Sequence, residues 1–239
     1  LKEYDAHRAS LEIAEFIDDL SLWYIRRSRE RVGSSNEDKN DKQAFYETTY
    51  KVLKTLSQLL APFVPFISDE MYTNLTSEES VHLSDWPQVD KAYYNSELQD
   101  EMKNAQKLAS VIHSLRKEGN VRVRIPLKKL SYNGPAELPS EIKKIVEEEA
   151  NVYELVYERK ADEYVVTGDT GENNQDVEAG QARDIIRQIQ EERKKLGTRL
   201  DEKIDVSLPQ WPGELEDYIR KHALVEKIDK GEFQVKRVA

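Results

Sequence analysis

The chain has 239 residues, enough for one large domain or two to three small ones, and its 46 acidic and 36 basic residues give a formal net charge of -10. It contains no cysteine, which excludes disulfides, thiolate zinc sites and thiol catalysis and is typical of the reducing cytoplasm, where we expect the protein to be. No run of about 18 apolar residues is present, so the sequence predicts neither a membrane span nor a membrane partner.

The first 118 residues predict four helices, each with one apolar face. The first covers about residues 4–31, and the polar stretch 33–40 ends it. The second ends at the break in "APFVPF", where Pro65 opens a third, shorter helix to Leu75. The fourth follows the loop through "TSEESVHLSDWP". Four such helices with short or moderate connections predict an antiparallel bundle.

After Gly119 the pattern changes. Residues 121–125 alternate strictly between apolar and charged, which predicts a half-buried strand with Arg122 and Arg124 on one face. Strand-like "KKLSYN", helix-like "PSEIKKIVEEEA" and strand-like "VYELVYE" and "EYVVTG" follow. Behind a polar stretch come a basic helix, a strand near 203–208, another helix and a hairpin turning at "DKGE".

These elements predict an α+β fold class in which a predominantly α-helical bundle is followed by small α+β modules. We expect the bundle at 1–118, a small α+β module at 119–168, a polar linker at 169–178 and a C-terminal α+β module at 179–239. The "DWP" and "QWP" segments resemble each other too weakly to predict an internal repeat.

Arginines gather at one end of two predicted helices. In "LSLWYIRRSRER" the apolar stripe of the first helix arrives at Arg27 and Arg31, whereas Arg26 and Arg29 point towards the opposite half. The stripe of the fourth helix runs into Arg116 in the same way. If the two helix ends lie together, the bundle has one electropositive end, with the arginines of the predicted strand close by.

Two explanations stay open for any single arginine of this group. A cation at a helix C-terminus gains about 0.3–1 kcal/mol from the helix dipole, and an arginine can pair with a carboxylate of a neighbouring helix. A nucleic-acid backbone instead needs several cations, because affinity comes from the summed release of counterions. The group as a whole favours the second explanation, since residues 103–129 hold eight basic residues and one acidic residue, a local net charge of +7.

The basic helix at 179–196 is a second candidate surface. Arg183, Arg187 and Lys194 line up beside its buried face, although the acidic residues between them favour an ordinary solvated face slightly more. The four histidines are scattered without metal-ligand spacing, and the sequence has neither a phosphate-binding glycine loop nor a nucleophile turn. The sequence therefore predicts a binding protein with no catalytic residue and no metal site.

Several stretches are similar to one known family. "DDLSLWYIRRSRER", "YKVLKTLSQLLAPFVPFISDEMYTNL" and "VHLSDWP" resemble the C-terminal part of class I isoleucyl-tRNA synthetases, and "NVRVRIPLKKL", "EANVYELVYE" and "RDIIRQIQEERKKLGTRLDEKIDVSL" resemble the tail of that family. The resemblance implies a helical anticodon-binding domain with attached α+β modules. The intact enzyme would join isoleucine to its tRNA using ATP and Mg²⁺.

The family's ATP-site signatures are absent, and the chain begins inside a predicted helix without methionine, so we expect a fragment. The fragment would hold no cofactor and would be inactive alone. Its partners would be the isoleucine tRNA and the missing N-terminal catalytic and editing domains of the same chain, and we expect a monomer. The chain departs from the family at Val32-Gly33, where relatives often carry two aromatic residues, and it lacks the zinc knuckle of many bacterial members.

The resemblance implies that the cations grip the anticodon stem-loop. The residues predicted to bind tRNA are Arg26, Arg27, Arg29, Arg31, Arg116, Lys117, Arg122, Arg124, Arg183, Arg187 and Lys194.

Two alternatives remain. The chain could be the corresponding part of a valyl-tRNA synthetase, which shares the bundle. It could also be a structural docking module, whose arginines pair with carboxylates of a catalytic domain and never touch RNA.

Overall fold

The computed structural model describes residues 5–33 and 36–238. The predicted helix start at residue 4, and Ser34 and Ser35 of the predicted loop, lie outside the described residues. The chain forms two compact units, an N-terminal unit at Leu1–Tyr94 and a C-terminal unit at Asn95–Ala239. The division therefore precedes the fourth predicted helix, which the sequence assigns to the bundle.

The arginine-rich end of the first helix departs from α-helical geometry. α1 spans Ala6–Asp19 and continues into a π-helix at Leu20–Ile25, and a separate turn of helix, α2, covers Arg29–Val32. The wider turn is seen where the Arg26 amide donates to the Ser21 carbonyl at 3.1 Å. The prediction of one α-helix to residue 31 is wrong, because each π turn rotates the following side chains away from the stripe of α1.

The second and third predicted helices are confirmed as α3 (Lys39–Leu60) and α4 (Pro65–Thr76). The Asp38 carboxylate caps α3 by accepting from two backbone amides of its first turn. Pro65 occupies the first turn of α4, where its missing amide hydrogen costs nothing. α3 packs against α4.

A carboxylate holds the loop that follows α4. Asp69 Oδ1 accepts hydrogen bonds from Ser80 Oγ at 2.7 Å and from the Val81 amide at 2.8 Å. Nearby, the buried Tyr72 donates its hydroxyl proton to Glu78, which also pairs with a lysine of α3. These bonds fix the loop containing "VHLSDWP" against the helical pair.

The C-terminal unit contains two modules with the same order of elements. The first module, residues 96–167, consists of α5 (Ser96–Glu118), β1 (Leu127–Gly134), α6 (Ser140–Ala150), β2 (Val152–Lys160) and β3 (Val165–Thr167). The second module, residues 177–238, consists of α7 (Val177–Leu196), β4 (Ile204–Leu208), α8 (Glu216–Ala223), β5 (Val225–Lys230) and β6 (Gln234–Arg237).

The two sheets have the same topology. In each, the first strand is central, the second pairs with it in parallel and the third pairs with it antiparallel, in the orders β2-β1-β3 and β5-β4-β6. The predicted hairpin at "DKGE" is therefore wrong, because β5 and β6 lie on opposite sides of β4. The two modules thus repeat one arrangement of elements, which the weak likeness of "DWP" and "QWP" did not indicate.

Equivalent residues form the cores of the two modules. The first strand of each module begins with a fully buried residue, Leu127 or Ile204. The Leu127 amide donates to the Asn151 carbonyl at 3.0 Å, and the Ile204 amide donates to the Leu224 carbonyl at 3.1 Å. Asn151 and Leu224 end the short helices in the left-handed conformation, with φ of 53° and 54°. The long helices α5 and α7 share the spacing Ala-x-x-(Leu/Ile)-x-x-x-Ile-x-x-x-Arg.

The two modules are docked against each other. Asn174 lies in the segment predicted as a linker, and its side-chain amide makes two hydrogen bonds to the backbone of Lys129. It accepts from the Lys129 amide at 3.0 Å and donates to the Lys129 carbonyl at 2.7 Å. Gly180 of α7 lies against Ile125, so closely that an added Cβ would stand 2.9 Å from its side chain. The Arg124 guanidinium pairs with Asp184 of α7 at 2.6 Å.

Candidate nucleic-acid interface

The first three predicted arginines lie around the turn at 26–28. Arg26 and Arg29 are exposed and Arg27 is half-buried. The π-helix directs Arg26 back along the chain, where its Nε donates to the Leu22 carbonyl at 2.9 Å. The N-terminal unit therefore presents a short cationic segment at this turn.

Arg31 has a structural partner. Its guanidinium bonds both carboxylate oxygens of Asp41 at 2.6–3.0 Å and lies 6.0 Å from the ring centroid of Phe45. The hydrogen bond to Arg31 lowers the pKa of the Asp41 carboxyl, and the same bond raises the pKa of Arg31. For Arg31, the pairing with a neighbouring helix describes the geometry better than an open phosphate site.

Arg116 is buried, with 1% of its surface exposed. Its guanidinium donates to the carbonyls of Ala150 and Asn151 at 2.9 and 2.6 Å, and to those of Arg122 and Ile125 at 3.4 and 3.0 Å. Burial, with a smaller contribution from Arg183, lowers the pKa of Arg116 to about 10. We call this arrangement a clasp. It removes Arg116 from any RNA-facing surface, and we correct its predicted role to a structural one.

The clasp also overturns the predicted strand at 121–125. Two carbonyls of this stretch accept from Arg116, and the Ile125 amide turns back to the Arg122 carbonyl at 3.0 Å. The residues therefore form a tight loop before β1, and Arg122 and Arg124 do not share a strand face. Arg122 is exposed, whereas Arg124 is held by its ion pair with Asp184.

A second clasp is formed by Arg193, which sequence reasoning missed. It is 4% exposed and donates to the carbonyls of Glu202 at 2.7 Å, Arg199 at 3.0 Å and Ala223 at 3.4 Å. Burial lowers its pKa. The signal was present in the sequence, because Arg116 and Arg193 end the same helical spacing, and each lies eleven residues before the first residue of its central strand.

The predicted cations of α7 are divided by their contacts. Arg183 donates to the Arg124 carbonyl at 3.2 Å and so belongs to the contact between the modules. Arg187 is exposed and pairs with Glu191 one turn later at 2.8 Å. Lys194 is exposed beside the clasp of the second module, as Lys117 is beside that of the first.

The structure thus places four predicted residues in one cluster, in which Arg116 and Arg183 support the loop that carries Arg122 and Arg124. Of the predicted cations, those with exposed side chains fall into two sets, one in each unit. They are Arg26 and Arg29 in the N-terminal unit and Lys117, Arg122, Arg187 and Lys194 in the C-terminal unit.

A cleft of about 540 Å³ lies in the second module, between α7 and the loop before α8. Trp211 lines it, packs against the module core and donates its indole proton to Glu216 at 2.9 Å. Glu178 and Asp184 also line the cleft, and their negative charge disfavours phosphate there. The cleft therefore lies outside the candidate cationic surface.

Within residues 5–33 and 36–238, no group of three or more histidine, aspartate or glutamate side chains is arranged to hold a metal ion. In the same part of the chain, every helix is too short or too polar to cross a membrane.

Comparisons with known proteins identify the family of the chain. A family model, the anticodon-binding domain of tRNA ligase, matches residues 1–131. The isoleucine–tRNA ligase of Chlamydia trachomatis serovar L2 is 38% identical over 173 residues, which are 70% of this chain and 17% of that protein. The isoleucine–tRNA ligase of Clostridium acetobutylicum is 38% identical over 171 residues, 69% of this chain and 16% of that protein. The chain spans about a sixth of the length of these curated relatives.

Proposed function

The chain belongs to the family of anticodon-binding domains of tRNA ligases, and on that premise we propose that it is the tRNA-binding part of an isoleucine–tRNA ligase. The observation that carries the proposal is the match of residues 1–131 to that family, combined with the similarity to the two isoleucine–tRNA ligases named above. The intact enzyme attaches isoleucine to its tRNA with ATP and Mg²⁺, and the sites for both lie in parts of the enzyme other than these 239 residues.

The exposed cations supply the contacts. Arg26 and Arg29 in the N-terminal unit, and Lys117 and Arg122 in the C-terminal unit, contact the phosphates of the anticodon stem-loop. Arg187 and Lys194 extend this set, and Arg27 contributes from its half-buried position. Phosphate contacts position the RNA, and base identity is read by other groups.

Four predicted residues are left out of the RNA surface. The guanidinium of Arg31 pairs with Asp41, and that of Arg124 pairs with Asp184. The guanidinium of Arg116 donates to backbone carbonyls, and that of Arg183 donates to the Arg124 carbonyl. Their replacement would lower stability first, and it would change RNA affinity only indirectly, through the backbone and side chains that they hold.

The test is binding of the whole chain to isoleucine tRNA, to the same tRNA with a changed anticodon and to valine tRNA, over a series of salt concentrations. We expect a preference for the isoleucine anticodon and a steep loss of affinity with salt. Equal affinity for isoleucine and valine tRNA with either anticodon would refute the isoleucine assignment, and no measurable affinity would refute RNA binding.

A triple variant identifies the cations that contact RNA. Replacing Arg26, Arg29 and Arg122 by glutamine should reduce the magnitude of the log–log salt slope by about 2–3, because each phosphate contact contributes about 0.7–0.9. The matched control replaces Lys51, Lys91 and Lys144, three exposed lysines outside the proposed surface, and should leave the slope unchanged.

A further inference from the structure

The duplicated modules present a second arginine in the position that Arg122 has in the first. Arg122 follows the clasp residue Arg116 by six residues, and Arg199 follows Arg193 by six. In each pair the clasp guanidinium holds the backbone carbonyl of the later arginine, at 3.4 and 3.0 Å. The bond fixes the backbone of the loop and leaves the later side chain outside.

Arg199 is free to act as that second contact. Its side chain is 80% exposed, and its ion pair with Asp201 is long, at 3.7 Å. We call the loops that follow the two clasp helices, which carry Arg122 and Arg199, the first and second corners. Near the second corner, Lys195 and Lys203 are more closely paired than Arg199, since each bonds a glutamate at 2.5 Å. Exposed ion pairs contribute little and are exchanged easily for a phosphate.

The neighbourhood of Arg199 adds to the match with the first module. Lys194 stands directly after the clasp residue, as Lys117 does in the first module, and both are exposed. Leu200, next to Arg199, is 89% exposed, and Val123, next to Arg122, is 47% exposed. Each corner thus combines an outward arginine, an outward apolar side chain and a nearby lysine, which suits an RNA strand with its phosphates on the cations and its unstacked bases or riboses on the apolar group.

We propose that Arg199 is an RNA contact equivalent to Arg122, and that Arg116 and Arg193 are positioning residues that hold the two loops for RNA. The inference rests on the proposed tRNA-binding function. It adds the corner at 197–203 to the RNA surface, where the sequence pattern had marked only α7 and the first corner. Two contacts on one docked scaffold bind as a bivalent pair.

The experiment compares single and double glutamine variants of Arg122 and Arg199 in the whole chain, with isoleucine tRNA and a salt series. Each single variant should weaken binding about tenfold, as the loss of one charge-assisted contact does, and reduce the salt slope by about one. The double variant should lose both contributions. Arg199→Lys, which keeps the charge, should restore most of the salt slope lost in Arg199→Gln.

The matched controls are Lys160→Gln and Lys230→Gln. These exposed lysines are the last residues of β2 and β5 and so are equivalent to each other, at the opposite end of the sheets. Both controls should bind as the unaltered chain does.

The positioning role has its own readout. In a variant that already carries Arg193→Met, Arg199→Gln should weaken tRNA binding less than it does in the unaltered chain. The reason is that the Arg193 guanidinium no longer holds the loop that carries Arg199. Equal effects in both backgrounds would refute positioning by the clasp. Since Arg199→Gln alters only an exposed side chain, it tests the contact even if Arg193→Met fails to fold.

The outcomes separate the two proposals. If the unaltered chain binds isoleucine tRNA and Arg122→Gln weakens it while Arg199→Gln does not, the second corner is overturned and the proposed function stands. If the unaltered chain has no tRNA affinity, the proposed function falls first, and the inference falls with it.

Discussion

The two modules of the C-terminal unit differ in what covers the same corner of the same fold. In the first, two contacts hold the loop after the clasp, since Asp184 of α7 pairs with Arg124 and Asn151 Nδ2 donates to the Val123 carbonyl at 2.7 Å. In the second, Leu224 stands where Asn151 does, and the loop around Leu200 is open to solvent. The first loop takes part in docking the modules, whereas the second is open to solvent, as the proposed RNA contact of Arg199 requires.

This difference shows that the clasp and the surface above it are separable. Both modules keep a buried arginine bonded to carbonyls of the loop and of the short helix, because a folded corner exposes several carbonyls that a single guanidinium can satisfy. The residues above the clasp can then vary without loss of the fold.

The largest expected effect on stability comes from removing the clasp arginines themselves. Arg116→Met should destabilise the chain by about 3–5 kcal/mol and Arg193→Met by about 2–4, because four and three buried or partly buried carbonyls respectively lose the guanidinium as a donor. Urea unfolding measures the total, and hydrogen exchange in β1 and β4 locates the damaged module.

The neighbouring lysines are matched controls for the clasps. Lys117→Met and Lys194→Met change an exposed cation one residue further along and should cost less than about 0.5 kcal/mol. If the arginine variants were no less stable than these lysine variants, the two clasps would not contribute to the free energy of unfolding.

A smaller effect is expected from separating the modules. Gly180→Val places side-chain atoms within 3 Å of Ile125 and should cost about 1–3 kcal/mol, with faster hydrogen exchange at 173–176, where the connecting segment bonds β1. Gln181→Val, at the next and exposed position of the same helix, is the control. Equal exchange in the two variants would show that docking does not depend on this close approach.

The smallest expected effect depends on pH. The Tyr153 hydroxyl of the first module donates to Asp176, which caps α7 of the second, at 2.8 Å. Partial burial and this bond raise the pKa of Tyr153 to about 12, so the stability it contributes is present below pH 10 and is lost as the pH rises from 10 to 12.

Urea midpoints at pH 8 and 11 measure this loss. The midpoint should fall less in Tyr153→Phe than in the unaltered chain, because phenylalanine has no proton to lose. Tyr46→Phe, at an exposed position of α3, serves as control. An equal fall of the urea midpoint in all three proteins would show that the Tyr153 hydroxyl does not stabilise the contact between the modules.

Much of the architecture was predictable from local pattern. Helical spacing and Pro65 located α3 and α4 closely, and β4 was expected near 203–208 and lies at Ile204–Leu208. Strand pairing was not predictable, since alternation defines the two faces of a strand and says nothing of its neighbours. β5 and β6, adjacent in sequence, were expected to pair, but both pair with β4 instead.

The π-helix was missed for a related reason. A stripe computed at a constant 100° per residue assumes α-helical geometry throughout, and six residues of π-helix break that assumption just before the arginines. The predicted alignment of Arg27 and Arg31 with the stripe of α1 assumed that geometry, and the contacts of Arg31 are made with the start of α3 instead.

The sequence by itself located α3, α4 and β4 and carried the resemblance to one family. Only the tertiary structure decided which cation is buried and which is exposed. Arg116 and Lys117 are adjacent in the same helical turn, yet one lies inside and the other outside. The reason is that the partners of Arg116 are backbone carbonyls, up to 35 residues away along the chain, which every residue possesses and which therefore leave no mark in a sequence.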